Sequence, residues 1–396
     1  MSKRTLNDVS TPDSREEGSA GKKSKLQREN DNNDSRPVST QAGQGPTITK
    51  AEADLYDRQI RLWGLEAQQR MRHAKILVAG VSGLSNEICK NLVLSGVGAI
   101  TIISDGTVEI VDLGAQFFLR ETDIGKNKAE AIAPRVQALN PRVHVEARNT
   151  AIGTLSDEFF ADFAVVFLCN ADLKEMLRVD NICREGGKKF YAADTAGMMG
   201  CILCDLSTHT FIETSKSSEK EDAVTTTTEK TISHPRIGEA LRGKWGVPDL
   251  KALTRQQMRT LKSASDPVYF AFNVLWIFRE KMGRLPTAAD TDLKALFAMR
   301  DTYMNSVECD AAYLPDDMLR SFAQTAGAEL SAVCAILGGF AAQDILKVLS
   351  GKDAPLDNYF AFDGTEFSGK LLKLPPPPIV MVTPAAAAPV ETVDLD

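Results

Sequence analysis

Apolar runs and helical repeats alternate through the middle of the chain. KILVAG at Lys75–Gly80 precedes a helical pattern from about Gly83 to Leu94; AITIIS precedes another from about Lys126 to Leu139, and RVHVEA follows. AVVFLC, a helical pattern from about Asp172 to Glu185, and KKFYAAD continue the series. Short apolar runs read as buried strands and the longer repeats as helices. Repeated strand–helix–strand units predict an α/β fold, a Rossmann-like, mostly parallel sheet flanked by helices. MGCILCDL adds a strand before the pattern breaks.

The pattern also divides the chain. Residues 1–50 are rich in Ser, Asp, Asn, Gly and Lys, too polar to bury a core, and are expected to be a disordered tail. Residues 51–213 carry the Rossmann-like domain, 214–232 (beginning TSKSSEKEDAVTTTTEK) a polar mobile loop, and 233–325 a helical insertion. Residues 326–374 complete the fold, and 375–396 form a Pro- and Ala-rich acidic tail. Within the insertion, the aromatic stripe of Pro267–Gly283 reads as a buried helix face rather than a cofactor box. A last apolar helix, Glu329–Leu349, contains Gly338 and Gly339. Each costs about 1 kcal/mol relative to alanine in a helix, so close packing is expected there.

Composition narrows the classes. The net charge is −7 and no basic stripe stands out, so a protein partner is expected rather than nucleic acid. No apolar run reaches the ~18 residues of a membrane helix, and no signal-peptide core opens the chain. The seven scattered cysteines suggest a reduced, intracellular compartment. SKR at Ser2–Arg4 and KKSKLQR at Lys22–Arg28 are candidate nuclear-import signals, otherwise solvated charge runs. Nucleus, with cytoplasm, is the expected location.

The loop after the first strand carries the most information. A dinucleotide loop wants glycine at its first, third and sixth positions; here those places hold Gly80, Ser82 and Ser85. Ser82 adds a Cβ where phosphate oxygens must approach, while Gly83 keeps the neighbouring backbone permissive. The loop reads as a degenerate nucleotide site.

YDRQIRLWGLEAQQRM at Tyr56–Met71, GAQFFL at Gly114–Leu119, GKNKAEA at Gly125–Ala131, LNP at Leu139–Pro141 and GGFAAQDILK at Gly338–Lys347 resemble the ubiquitin-like-modifier activating enzymes and their bacterial ThiF and MoeB relatives. GAQFFL and the chain length are most similar to the small subunits that serve SUMO. The resemblance implies an adenylation: the modifier's C-terminal carboxylate attacks the α-phosphate of ATP, and a cysteine of a large catalytic subunit takes the acyl group. ATP and Mg2+ would be bound by that partner, with none in this chain. SUMO, and a conjugating enzyme reached through the complex, would be the other partners.

Against that family's catalytic members, the chain has lost several groups. Asp105 is the one acid at the second strand end, Ala115 stands before Gln116 where an arginine belongs, and Cys169 replaces a pocket aspartate. Lys128 matches the pocket lysine. The resemblance therefore implies a non-catalytic but required subunit, inactive alone. Arg58 matches the arginine that reaches across the interface to the partner's ATP phosphates; on residue type alone it would be a surface ion pair, with Asp54 for example. Gln59 and Trp63 would shape the interface.

Other chemistry is weaker. Cys89, Cys169 and Cys334 sit in apolar patterns, whereas Cys309 has a more polar setting without a nucleophile's signature. Cys201 and Cys204 imitate half a zinc site, but residues three apart on a strand diverge, and no metal site is expected. His73, His144, His209 and His234 read as surface or loop residues. IVMV at Ile379–Val382, with VETVDLD, resembles short SUMO-interacting segments that add a strand to a sheet edge. The competing functions are a nicotinamide dehydrogenase, which needs the missing glycines, a stand-alone homodimeric ThiF/MoeB-like adenylyltransferase, a subunit for another modifier, and a scaffold that leaves ATP untouched.

Overall fold

A computed structural model describes residues 48–216 and 225–376. Helices α1 (Lys50–Leu55), α2 (Asp57–Trp63) and α3 (Leu65–His73) lead into β1 (Lys75–Ala79). Then follow α4 (Gly83–Leu94), β2 (Ala99–Ile103), α5 (Lys128–Leu139), β3 (His144–Arg148), β4 (Val165–Cys169), α6 (Leu173–Glu185) and β5 (Lys189–Ala196). β6 (Met199–Asp205) turns back, and β7 (Thr208–Lys216) pairs with β8 (Thr225–Ser233) as a separate two-stranded arm. The insertion holds α7 (Ile237–Ala240), α8 (Arg255–Ala264), α9 (Pro267–Met282), α10 (Asp290–Ser306) and α11 (Asp316–Thr325). α12 (Ser331–Ser350), β9 (Asn358–Asp363) and β10 (Ser368–Lys373) complete the fold.

The main sheet has eight strands in the order β10-β9-β6-β5-β4-β1-β2-β3. β1 to β5 are parallel, in the doubly wound order 3-2-1-4-5, and β6, β9 and β10 are antiparallel. The expected mostly parallel sheet is what forms. Strand side chains alternate between faces: Leu77 joins a core shared with α6 and α9, while Ile76 and Val78 join one shared with α4, α5 and α12. α9 buries residues nearly all round, because it lies inside the first core instead of covering it with one face.

Some expectations fail. The polar loop predicted over 214–232 is strand at both ends: β7 runs to Lys216 and β8 begins at Thr225, because the threonine-rich run suits a pleated edge. Residues 217–224 fall outside the described residues, as do nearly all of the 1–50 tail, the basic segments, and the 375–396 tail beyond Pro376. His209 is buried on β7 rather than at the surface, and His234, in the loop after β8, is buried as well, its Nδ1 accepting from the Leu206 N–H at 3.2 Å. Burial holds His209 neutral, its pKa down to about 4. Cys309 is buried too, and burial pushes its thiol up to about 12. Cys201 and Cys204 do point into opposite cores. α12, at 20 residues, is long and apolar enough by composition to cross a membrane, against the sequence reading; here it packs on α4 and β6.

The two glycines of α12 differ. A Cβ on Gly338 would stand 2.5 Å from the Cβ of Glu87 in α4, so the helices meet at backbone distance; a Cβ on Gly339 would meet nothing within 4 Å. Gly339→Ala is thus expected to raise stability by up to about 1 kcal/mol, and Gly338→Ala to lower it by about 1–3 kcal/mol, both read by chemical denaturation.

A buried acidic pair sits where the chain leaves the sheet for the arm and the insertion. Arg184 forks onto Asp205 at 2.7 and 2.6 Å and also donates to the carbonyl of His234, while Asp180 accepts from the N–H of Ile237 at 2.9 Å. Burial, then the Asp205 carboxylate, pushes Asp180 up to about 8. The folded state therefore holds a proton that the unfolded chain releases near the ordinary aspartate value of 3.8, and stability falls as pH rises from about 4 to about 8. Asp180→Asn mimics the protonated acid. Its denaturation midpoint relative to the parent is expected to be more favourable at pH 8 than at pH 5.

Candidate functional site

β1 hands over to α4 between β1 and β4, where strand order reverses and doubly wound folds place their ligands. Gly80 adopts φ +89°, and a Cβ on it would stand 2.3 Å from the carbonyl oxygen of Cys169 at the end of β4. A Cβ on Gly83 would lie 3.0 Å from both the Ala115 Cβ and the Cys334 Sγ. The glycines that remain in this loop admit neighbouring protein.

The serines at the other fingerprint positions have a helical task. Ser82 is the N-cap of α4: its Oγ accepts from the Ser85 N–H at 3.3 Å, and Ser85 Oγ accepts from the Ser82 N–H at 2.8 Å and donates to the Ser82 carbonyl at 3.0 Å. This reciprocal capping box satisfies first-turn groups that a nucleotide loop leaves for phosphate. Both serines are buried.

A further first-turn donor is taken by a carboxylate from far along the chain. The Gly83 N–H donates to Glu329 Oε2 at 2.8 Å, and Asn170 Nδ2 lies 3.4 Å from Oε1. Burial pushes the Glu329 carboxyl up, opposed by its hydrogen bonds and by the charge of Lys128. A negative group thus occupies the positive end of α4, where a phosphate would bind. Glu329 was invisible to sequence reasoning: it precedes α12 by two residues but meets the loop only through the tertiary fold.

The other predicted residues do not converge on a nucleotide pocket. Lys128 Nζ is bonded to Asp112 Oδ1 at 2.7 Å, and Asp112 also accepts from Gln116 Nε2 at 2.8 Å and the Glu109 N–H at 2.8 Å. Asp105 is exposed on the loop after β2. Cys169 is buried, its thiol pushed well up by desolvation, and supplies no charge. Glu329 holds the Gly83 N–H and Asp112 holds Lys128, so both groups that a triphosphate would use are engaged within the protein. No cluster of three or more His, Cys, Asp or Glu among the described residues is placed to hold a metal.

Arg58 lies elsewhere. Two residues before it, the Tyr56 hydroxyl accepts from Asn140 Nδ2 at 2.8 Å, and its ring covers Gly96, just past the C-terminal end of α4. The loop is at the other end of that helix, about 18 Å away at 1.5 Å per residue. Arg58 is exposed on α2 and makes no hydrogen bond or ion pair with another described residue; the alternative Asp54 pair does not form, and Asp57 pairs with Arg61 instead. Gln59 is half-buried with its side-chain carbonyl unpartnered, and Trp63 packs against the second core.

The 3-2-1-4-5 core, with the β1–α4 loop at its switch point, defines a doubly wound α/β protein in which a carboxyl group of the same chain meets the first turn of α4. The chain belongs to the ThiF family, whose model matches residues 56–378. It is 35% identical over 346 residues to SUMO-activating enzyme subunit 1 of Rattus norvegicus, covering 83% of this chain and 96% of that protein. The subunit 1 proteins of Bos taurus and Homo sapiens are each 35% identical, covering 82% of this chain and 96% of theirs.

Glu329→Ala would leave the Gly83 N–H without its acceptor inside the loop. The expected outcome is a loss of about 1–2 kcal/mol in urea denaturation at pH 7; an unchanged midpoint would show that the carboxylate does not hold the loop.

Proposed function

We propose that this chain is the non-catalytic but required subunit of a heterodimeric SUMO-activating enzyme. In this reading a large catalytic partner holds ATP and Mg2+, SUMO is the protein substrate, and a conjugating enzyme is served through the complex, in nucleus and cytoplasm. The observation that carries it is the Gly83–Glu329 hydrogen bond, 2.8 Å long, which takes the phosphate position in this chain's own loop. The similarity to SUMO-activating enzyme subunit 1 supplies the modifier.

Arg58 is the residue this chain would contribute to chemistry. Guanidinium stays charged at every working pH and presents a planar donor fork, so it can be aimed at phosphate oxygens from outside a pocket. The modifier's carboxylate oxygen bonds to the α-phosphorus of ATP as the bond to pyrophosphate breaks, and negative charge is carried by the phosphoryl oxygens and the departing pyrophosphate. A cation delivered across the interface stabilises that charge. The exposure of Arg58 and its distance from its own loop suit action in trans.

The surface nearby suits a protein partner. Leu62, on the helix that carries Arg58, is 69% exposed, and Leu65, at the start of α3, is 48% exposed. Large apolar side chains left this open favour a protein-covered surface.

ATP–pyrophosphate exchange with SUMO is expected only when a SUMO-activating large subunit is added, and exchange by the chain alone would overturn the proposal. In the mixture, Arg58→Ala is expected to lower exchange by about 100-fold or more while the subunits still co-elute; exchange at the parent rate would remove Arg58 from the chemistry.

A further inference from the structure

The described chain ends at the rim of an apolar cleft that the adenylation reading does not use. α6, α9, α10 and the turn after α7 enclose about 470 Å³, lined by Leu173, Leu177, Leu241, Ile277, Tyr303 and Val307. Arg242 and Lys244 stand at its edge. Lys244 is paired with Glu308 at 3.3 Å, whereas Arg242 is exposed and makes no ion pair with a described residue.

The path of the chain out of β10 passes over Gly243, the residue that joins Arg242 to Lys244. A Cβ on Gly243 would stand 2.4 Å from the Pro375 Cβ and 3.0 Å from the Pro376 Cδ, so the prolines lie directly on that glycine. Their position is fixed upstream: Asn358 Oδ1 accepts from the Leu374 N–H at 2.8 Å, its amide donates to the Leu374 carbonyl, and the Leu374 side chain is 2% exposed. The sequence continues with Pro377, Pro378 and then Ile379, Val380, Met381 and Val382. Pro376 to Ile379 spans at most about 10 Å of extended chain.

We infer that Ile379–Val382 docks into this cleft in cis. The segment is uncharged and apolar like the cleft walls, and its methionine adapts to irregular space. Charge is complementary as well: Glu391, Asp394 and Asp396 follow Thr383–Val390, a stretch long enough to return to Arg242 at the rim. A leash this short holds the segment at roughly millimolar effective concentration, so weak intrinsic affinity fills the cleft. Docking withholds from other proteins an apolar segment that resembles SUMO-interacting sequences. This assignment stands whether or not the adenylation reading holds.

Hydrogen exchange on the full chain tests it, comparing the parent, the double variant Ile379→Asp/Met381→Asp, and Arg242→Glu, with a free peptide of residues 377–396 as reference. The amides of 379–382 are expected to exchange about tenfold slower in the parent than in the free peptide, at the peptide rate in the double variant, and at an intermediate rate in Arg242→Glu. The added peptide is expected to bind the double variant, whose cleft is vacated, and not the parent. Exchange at the peptide rate in the parent overturns the inference, as does protection that appears only when SUMO is added, or peptide binding that is equal for parent and double variant.

Discussion

The first turn of a helix presents N–H groups that its own backbone cannot satisfy, together with the positive end of the helix dipole. In this fold the first turn of α4 lies at the switch point of the sheet, so whatever satisfies it decides what the site can do. Here the protein satisfies it internally. Ser82 and Ser85 cap one another, and Glu329 brings a carboxylate to the Gly83 N–H. The same residues that stabilise the helix end thereby remove the electrostatic reason for phosphate to bind.

Two helices then separate the ends of the molecule's function. α4 runs from the closed loop to Gly96, where Tyr56 packs, and α12 lies against it through the side-chain-free contact at Gly338. Their rigidity keeps Arg58 and its apolar neighbours away from the loop of the same chain. The segment Gly338–Lys347, by contrast, is structural: Asp344 accepts from the Tyr191 hydroxyl at 2.7 Å and from the Leu356 N–H at 2.7 Å, tying α12 to β5 and to the approach to β9.

The doubly wound core was legible because its strands are short apolar runs and its helices have strong boundaries, as with Ser82 before α4 and Asn127 before α5. The arm was not, since Thr225–Ser233 is polar on both faces and lacks the alternation that marks a half-buried strand. The burial of His209, His234 and Cys309 was not legible for a related reason: polar neighbours in sequence say little about which element will cover them. The serines at 82 and 85 marked the loop as departing from a dinucleotide fingerprint, without showing that they cap one another or that Glu329 meets the helix end.

By itself, then, the sequence determined the strand and helix order, the mostly parallel sheet and the chemical poverty of the nucleotide loop, because periodicity and residue type are local properties. Only the tertiary structure decided that Glu329 fills the helix end from 246 residues away, that Lys128 is engaged by Asp112, and that Arg58 stands at the opposite end of α4 from its own loop. Those are pairings between distant parts of the chain, set by how helices of fixed length lie on a sheet, and no local pattern encodes them.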